Sequence, residues 1–153
     1  MTHSNCALDL FQQNFNCCQS ILGAFGPELG LDSTMAMKLG AGFSAGIAYR
    51  GETCGAVIGS CLIIGLVKGS DDPANDLAEQ LTYSGIKDFM AEFKTKLGDT
   101  SCSQLLQTDI STAEGFAYAH ESGLFKQRCP KFVGEAAIIL ESLLKCRSTI
   151  HAK

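Results

Sequence analysis

The chain of 153 residues contains no tryptophan, and only 18% of its residues are charged. Its 12 basic residues are outnumbered by 16 acidic ones, which gives a formal net charge of -4 at pH 7. Nucleic-acid surfaces are normally basic, so we expect no nucleic-acid partner. No convincing strand pattern is visible, and a sheet is therefore not expected.

Long hydrophobic runs are also absent. The longest apolar run, 54–67, has about 14 residues, whereas a membrane-spanning helix needs roughly 20. Residues 1–5 are polar and no uncharged apolar segment follows them, so we expect no cleavable signal peptide. These absences lead us to expect a soluble, cytoplasmic protein without membrane insertion.

Cysteine is plentiful, but no CxxC motif occurs, which disfavours a zinc-ribbon or thioredoxin-like protein. In a reducing compartment, many cysteines indicate metal binding, catalysis or redox sensing rather than a framework of structural disulfides. The eight cysteines are Cys6, Cys17, Cys18, Cys54, Cys61, Cys102, Cys129 and Cys146.

The most distinctive segment of the chain is 51–67, which reads GETCGAVIGSCLIIGLV. Gly51, Gly55 and Gly59 are spaced four apart, so in a helix they lie on one face and let a neighbouring backbone approach closely. Each interior glycine costs a helix about 1 kcal/mol relative to alanine, and close packing is the simplest compensation. The pattern predicts a buried helix over about 52–67, with Cys54 in its first turn.

Apolar residues at three- and four-residue spacing predict further helices on both sides of this segment. Before it, one helix covers 5–25 with Cys17 and Cys18 inside it, and a second begins at Asp32 or Ser33. A tight loop of small residues then covers 40–51, since the motifs of a phosphate-binding loop are missing.

After the central segment, the turn 70–73 precedes a long amphipathic helix over 74–97, which ends at Gly98. A short capped helix begins near Cys102, and 107–126 is irregular apart from a helical turn. Pro130 suits a first helical position, which places Cys129 at the N-cap of the last helix. We predict one all-α domain over 1–153, a bundle of about five helices around a glycine-rich central helix.

Cys54, Cys102 and Cys129 all fall at predicted helix starts, where free N–H groups and the helix dipole favour a thiolate. Arg50 near Cys54, and Lys126, Arg128 and Lys131 near Cys129, act in the same direction. Cys17 would have to join this group from inside the first helix. The other four cysteines, Cys6, Cys18, Cys61 and Cys146, are interpreted as small hydrophobic residues.

Several of these motifs occur together in a known family. They are Phe15-Asn16-Cys17, Ala41-Gly42-Phe43, the segment 51–59, Gly65-Leu66, Cys102 with Leu105-Leu106, and Cys129. In these motifs the chain resembles the C-GCAxxG-C-C family of redox-active proteins over about 8–140. The resemblance implies four characteristic cysteines, Cys17, Cys54, Cys102 and Cys129. Cys18 departs from the pattern, because a small residue such as alanine is expected after Cys17.

Two chemistries suit four gathered cysteines, and a third hypothesis needs none. Cys17, Cys54, Cys102 and Cys129 can form redox pairs that exchange dithiol and disulfide with an unidentified partner. The same four can instead ligate zinc or an iron–sulfur cluster as a cofactor. A non-enzymatic helical binding module is the third hypothesis, with the glycine-rich helix as a packing or homodimer face. Spacing does not support a Cys–His pair using His120. Glu52, two residues from Cys54, could accept its proton, but it is more simply interpreted as a first-turn acid favoured by the helix dipole.

Overall fold

The computed structural model describes the backbone of residues 1–148 and the side chains of residues 1–145, which leaves the side chain of Cys146 outside the description. Within that part the chain forms eight α-helices and no strand. The helices are α1 (His3–Gln12), α2 (Cys17–Phe25), α3 (Ser33–Gly40), α4 (Gly55–Lys68), α5 (Asp76–Leu97), α6 (Cys102–Leu106), α7 (Ala113–Glu121) and α8 (Leu124–Ser148). The all-α prediction is confirmed, whereas the prediction of about five helices is wrong.

The predicted helix over 5–25 is two helices, because the helical conformation is interrupted between Gln12 and Cys17. Asn14 adopts a left-handed φ of 70°, which no α-helix continues. Asn16 then caps α2 through a reciprocal capping box with Gln19, whose N–H donates to the Asn16 side chain at 2.9 Å. Cys17 is therefore the first residue of a helix and not a residue in the middle of one.

Helices α2 and α4 pack closely, and glycine makes this approach possible. A Cβ at Gly55 would lie 2.8 Å from the Phe43 carbonyl oxygen and 3.2 Å from Cys17 Cβ, and one at Gly59 would lie 2.9 Å from Ile21 Cβ. The predicted glycine face therefore exists at these two positions. Gly51 precedes the helix in a left-handed conformation, so it does not belong to this face.

The last helix begins earlier than predicted. Gly123 ends α7 with a left-handed φ of 74°, and its carbonyl accepts from the Gln127 N–H at 3.0 Å in the first turn of α8. Cys129 and Pro130 therefore lie in the second turn of α8, and the prediction of Cys129 as an N-cap is wrong. Pro130 has no N–H, so the Lys126 carbonyl receives no helical hydrogen bond from it.

The hydrophobic core is continuous across α1, α2, α4, α5 and α8. Its largest fully buried side chains include Phe89 and Phe93 of α5, Ile21 of α2 and Ile63 of α4. Three caps are close to the predicted ones: Asp32 for α3, Asn75 for α5 and Ser101 for α6. Among the helices described, none combines the length and apolar composition that crossing a bilayer demands.

Candidate functional site

A cavity of about 730 Å³ opens between the starts of α2, α4 and α6 and the second turn of α8. Cys17, Cys54, Cys102 and Cys129 all line it, although 112 positions separate the first from the last in the chain (129 − 17). Cys54, Cys102 and Cys129 expose only 3%, 7% and 5% of their surface, so their thiols lie on the inner wall. The structure thus brings together the four cysteines singled out in the sequence.

Backbone hydrogen bonds between two short extended segments hold Cys54 beside Cys102. The Cys54 N–H donates to the Thr100 carbonyl at 2.8 Å, and the Cys102 N–H donates to the Glu52 carbonyl at 2.6 Å. Between them, Thr53 and Ser101 form an isolated antiparallel bridge. Two helix starts that are distant in sequence are therefore fixed side by side.

The close packing of α2 on α4 places Cys17 against the start of α4. Cys17 Cβ lies next to the position that a Cβ on Gly55 would occupy. The Asn16 side chain also donates to the Gly40 carbonyl at 3.0 Å, which ties this end of α2 to the end of α3. Cys17 consequently lines the cavity together with Cys54 and Cys129, both of which affect its pKa.

The surroundings of Cys54 favour its thiolate. The hydrogen bond from the Cys17 thiol lowers the pKa of Cys54 and outweighs burial, which raises it. The N–H groups of Ala56 and Val57, at the N-terminus of α4, also face the Cys54 sulfur and lower its pKa, without forming a capping hydrogen bond of ordinary geometry. A lowered pKa makes a cysteine a better candidate for the nucleophile of a thiol reaction.

Cys17 has the opposite character. Its hydrogen bond to Cys129 raises the pKa of Cys17 most, and its hydrogen bond to Cys54 and burial raise it further. Cys17 is thus held as a neutral thiol, which has a single S–H to donate. A thiolate and a thiol in hydrogen-bonding contact are the state in which a reduced pair is ready to react.

The expectation of a thiolate fails at Cys102, and the expectation of a helix-start position fails at Cys129. Burial raises the pKa of Cys102, and the nearby Cys54 and Cys129 raise it further, although Cys102 is the first residue of α6. Cys129 lies too far along α8 for the free N–H groups of that helix to face it. Cys54 has a lowered pKa, whereas Cys102 has a raised one.

The remaining described cysteines lie away from the cavity lining. Cys18 is fully buried in the core, and burial raises its pKa to about 12. Cys61 and Cys6 are partly buried and pack against the core, and burial raises the pKa of Cys61 to about 11. Their placement agrees with the interpretation as small hydrophobic residues.

The basic residues near these cysteines mostly have other partners. Arg50 forms an exposed ion pair with Glu52 at 2.9 Å, and neither residue lines the cavity, so Glu52 is not placed to take a proton from Cys54. Arg128 donates to the Leu105 carbonyl at 3.1 Å. Lys126 is the basic side chain that lines the cavity.

The structure adds aromatic residues to the site, and it places His120 in the cavity lining. Phe116 and His120 of α7 line the cavity together with Phe125 of α8. Phe116 stacks with His120 at 6.2 Å between ring centres and meets the Tyr49 ring edge-on at 5.0 Å. The i, i+4 spacing of Phe116 and His120 would place both side chains on one face of a helix. From the sequence, 107–126 is instead predicted to be irregular apart from a helical turn.

The loop between α3 and α4 completes the wall with a left-handed turn. Residues 45–49 all have positive φ, and four of them are not glycine: Ala45, Ile47, Ala48 and Tyr49. A left-handed conformation costs such residues about 1–2 kcal/mol each. Hydrogen bonds hold the turn in place, including one from the Glu52 N–H to the Gly46 carbonyl at 3.0 Å. Backbone strain of this kind concentrates at functional sites.

Thiolates are good ligands for zinc and iron–sulfur clusters. However, within the part of the chain that the structure describes, no three side chains among histidine, cysteine, aspartate and glutamate are arranged to hold one ion. The seven cysteines described are also free rather than disulfide-bonded.

The fold and the cavity define the class as an all-helical protein whose distant cysteines converge on one buried pocket. Residues 15–143 match the family described as "Putative redox-active protein (C_GCAxxG_C_C)". The match covers most of the chain, and the chain belongs to this C-GCAxxG-C-C family. No curated protein and no solved structure shows significant similarity to it.

Proposed function

We propose that this protein exchanges dithiols and disulfides, with Cys54 as the attacking thiolate and Cys17 as the resolving thiol. The observation that carries the proposal is that Cys17 and Cys54 line one cavity, where their surroundings shift their pKa values in opposite directions. Membership of a redox-active family supports the same chemistry.

The exchange takes two steps. Cys54 Sγ attacks one sulfur of a substrate disulfide, a mixed disulfide forms, and the other substrate sulfur leaves as a thiolate that takes a proton. Cys17 Sγ then attacks Cys54 Sγ, a Cys17–Cys54 disulfide forms, and the second substrate sulfur leaves. The two cysteines lose two electrons in total, and the substrate disulfide gains them as two thiols.

The pKa of Cys17 fits this order of events. The hydrogen bond to Cys129 contributes most to the raised pKa of Cys17, and the negative charge of the Cys54 thiolate raises it further. Formation of the mixed disulfide removes the charge on Cys54, so Cys17 becomes easier to deprotonate after the first step and not before it. The hydrogen bond to Cys129 makes a Cys17–Cys129 disulfide the competing product.

The test is a single turnover of reduced protein with hydroxyethyl disulfide under anaerobic conditions, followed by alkylation and peptide mapping. We expect a Cys17–Cys54 disulfide in the wild type and a trapped mixed disulfide on Cys54 in Cys17→Ser. Cys54→Ser should slow the reaction roughly 100-fold, because the thiolate is the nucleophile.

The matched control is Cys61→Ser, since Cys61 lies on the same helix as the site but does not line the cavity. This variant should react at the wild-type rate. A Cys54→Ser protein that keeps the wild-type rate and circular dichroism spectrum would refute the assignment of Cys54. A map showing only Cys17–Cys129 would refute the proposed pair.

A further inference from the structure

Aromatic side chains are concentrated around the cavity. The chain has 9 phenylalanines and 3 tyrosines, twelve rings in total (9 + 3). Six of these twelve line the cavity: Phe11, Phe15, Tyr49, Phe116, Phe125 and Phe132. A thiol pair needs no aromatic neighbours in order to exchange disulfides, so this lining indicates the shape of a ligand.

The rings around Phe116 form a continuous wall. Phe116 lies 5.9 Å from Phe125 and 5.0 Å from Tyr49, between ring centres, and the three rings come from α7, α8 and the loop before α4. Flat aromatic ligands pack well against such rings, by offset stacking or edge contacts. The cavity volume of about 730 Å³ also lies within the range of about 300–1,000 Å³ that is usual for small-molecule sites.

Two polar groups stand at the exposed side of the same cavity. The side chains of His120 and Lys126 line it, both are exposed, and neither has a hydrogen-bond or ion-pair partner among the side chains of residues 1–145. Both can donate an N–H to an oxygen atom. The cavity thus presents aromatic walls, N–H donors at the opening and thiols inside.

A large disulfide-bonded protein fits this arrangement poorly, because Cys54, Cys102 and Cys129 are at least nine-tenths buried. A substrate sulfur must reach Cys54 in line for the exchange step, which a folded protein chain cannot do without opening the cavity. The arrangement favours a small planar acceptor that enters the cavity.

Building on the dithiol chemistry of the proposed function, we propose that the cavity binds a quinone, which the Cys17–Cys54 pair reduces. The quinone ring lies against the aromatic wall, and one carbonyl oxygen accepts from His120 or Lys126. The Cys17 S–H bond breaks and one S–S bond forms with the Cys54 thiolate, so the two sulfurs lose two electrons. The electrons pass to the quinone, whose two carbonyl oxygens take the Cys17 proton and one proton from solvent, which gives a hydroquinone.

The test uses reduced, full-length protein and duroquinone, the fully methylated benzoquinone, whose ring carbons offer no unsubstituted position for thiol addition. Quinone absorbance is followed anaerobically in a single turnover. We expect one quinone reduced per Cys17–Cys54 pair. Phe116→Ala should raise the half-saturating quinone concentration about tenfold, because a large apolar contact is lost.

Tyr118→Ala is the matched control, since Tyr118 is on the same helix, is 59% exposed and does not line the cavity. It should leave quinone saturation unchanged. Reduction of hydroxyethyl disulfide without reduction of duroquinone would overturn the quinone inference and leave the proposed function standing. Failure to reduce either acceptor would overturn the quinone inference and the proposed function together. Equal effects of Phe116→Ala and Tyr118→Ala on quinone saturation would refute the assignment of the aromatic wall to quinone binding.

Discussion

Replacing Gly59 by alanine tests the contact that positions Cys17 beside Cys54. A Cβ at Gly59 would lie 2.9 Å from Ile21 Cβ and 3.1 Å from the Cys18 carbonyl oxygen. Ordinary contact begins at 3.4 Å, so the two atoms must retreat by at least 0.5 Å (3.4 − 2.9) and 0.3 Å (3.4 − 3.1). Both atoms belong to α2, which also carries Cys17, so the helix must shift or the core must strain.

The magnitude follows from comparison with Gly65 of the same helix, where a Cβ would meet nothing within 4 Å. Alanine in place of either glycine gains about 1 kcal/mol of helix propensity. Overpacking costs about 1–3 kcal/mol, and only the Gly59 variant incurs it. Because the propensity gain is common to both variants, the difference between their free energies of unfolding isolates the packing cost. We therefore expect Gly65→Ala to be more stable than Gly59→Ala by about 1–3 kcal/mol.

The assay is urea unfolding followed by circular dichroism, with both variants and the wild type measured under reducing conditions. Gly65→Ala should unfold at a higher urea midpoint than the wild type, with an unchanged slope. The exchange rate with hydroxyethyl disulfide should fall in Gly59→Ala alone, because the distance between the two sulfurs changes. If alanine stabilises both positions equally, the close approach of α2 and α4 does not determine the site.

Four further outcomes are expected. Asn16→Ala should lower the free energy of unfolding by about 1 kcal/mol, because α2 loses its capping box; chemical denaturation measures this. Alkylation of Cys54 should reach half its maximal rate at a lower pH than alkylation of Cys61, whose pKa burial raises to about 11, and Cys17→Ala should move the Cys54 midpoint upward. Burial lowers the pKa of His3, but two carboxylate partners raise it overall. The stability that His3 contributes should therefore be present below its unfolded-state pKa of about 6.5 and be lost as pH rises through the folded-state pKa. The free energies of unfolding of wild type and His3→Gln should differ more at pH 5.5 than at pH 8. Treatment with a chelator should leave the melting temperature unchanged, and a clear drop would favour the metal-binding alternative.

The helical class and several helix ends were predictable from local signals. Asp32, Gly98 and Ser101 act as the residue types suggest, because caps and left-handed C-terminal glycines depend on short-range chemistry. The break before Cys17 was missed because the apolar spacing continues through it. The capping-box pattern of Asn16 and Gln19 was present in the sequence and would have revealed the break.

The start of α8 was missed for a different reason. A proline at the first helical position is favourable, but Pro130 lies in the second turn, where the packing of the flanking residues into the core keeps the helix intact. The choice of four cysteines came from the family motif and helix starts, whereas their surroundings depend on tertiary contacts. No local pattern reveals that burial raises the pKa of Cys102 or that Phe125 and His120 share a cavity with it.

The reversed handedness of 45–49 offers a lever for protein engineering. Ile47 has φ of 65°, a conformation that disfavours a branched side chain more than most. Ile47→Gly would remove this conflict without altering a cysteine, and it should increase the free energy of unfolding. If disulfide exchange is slower in this variant, natural selection has retained the strained conformation because the reaction in the cavity depends on it.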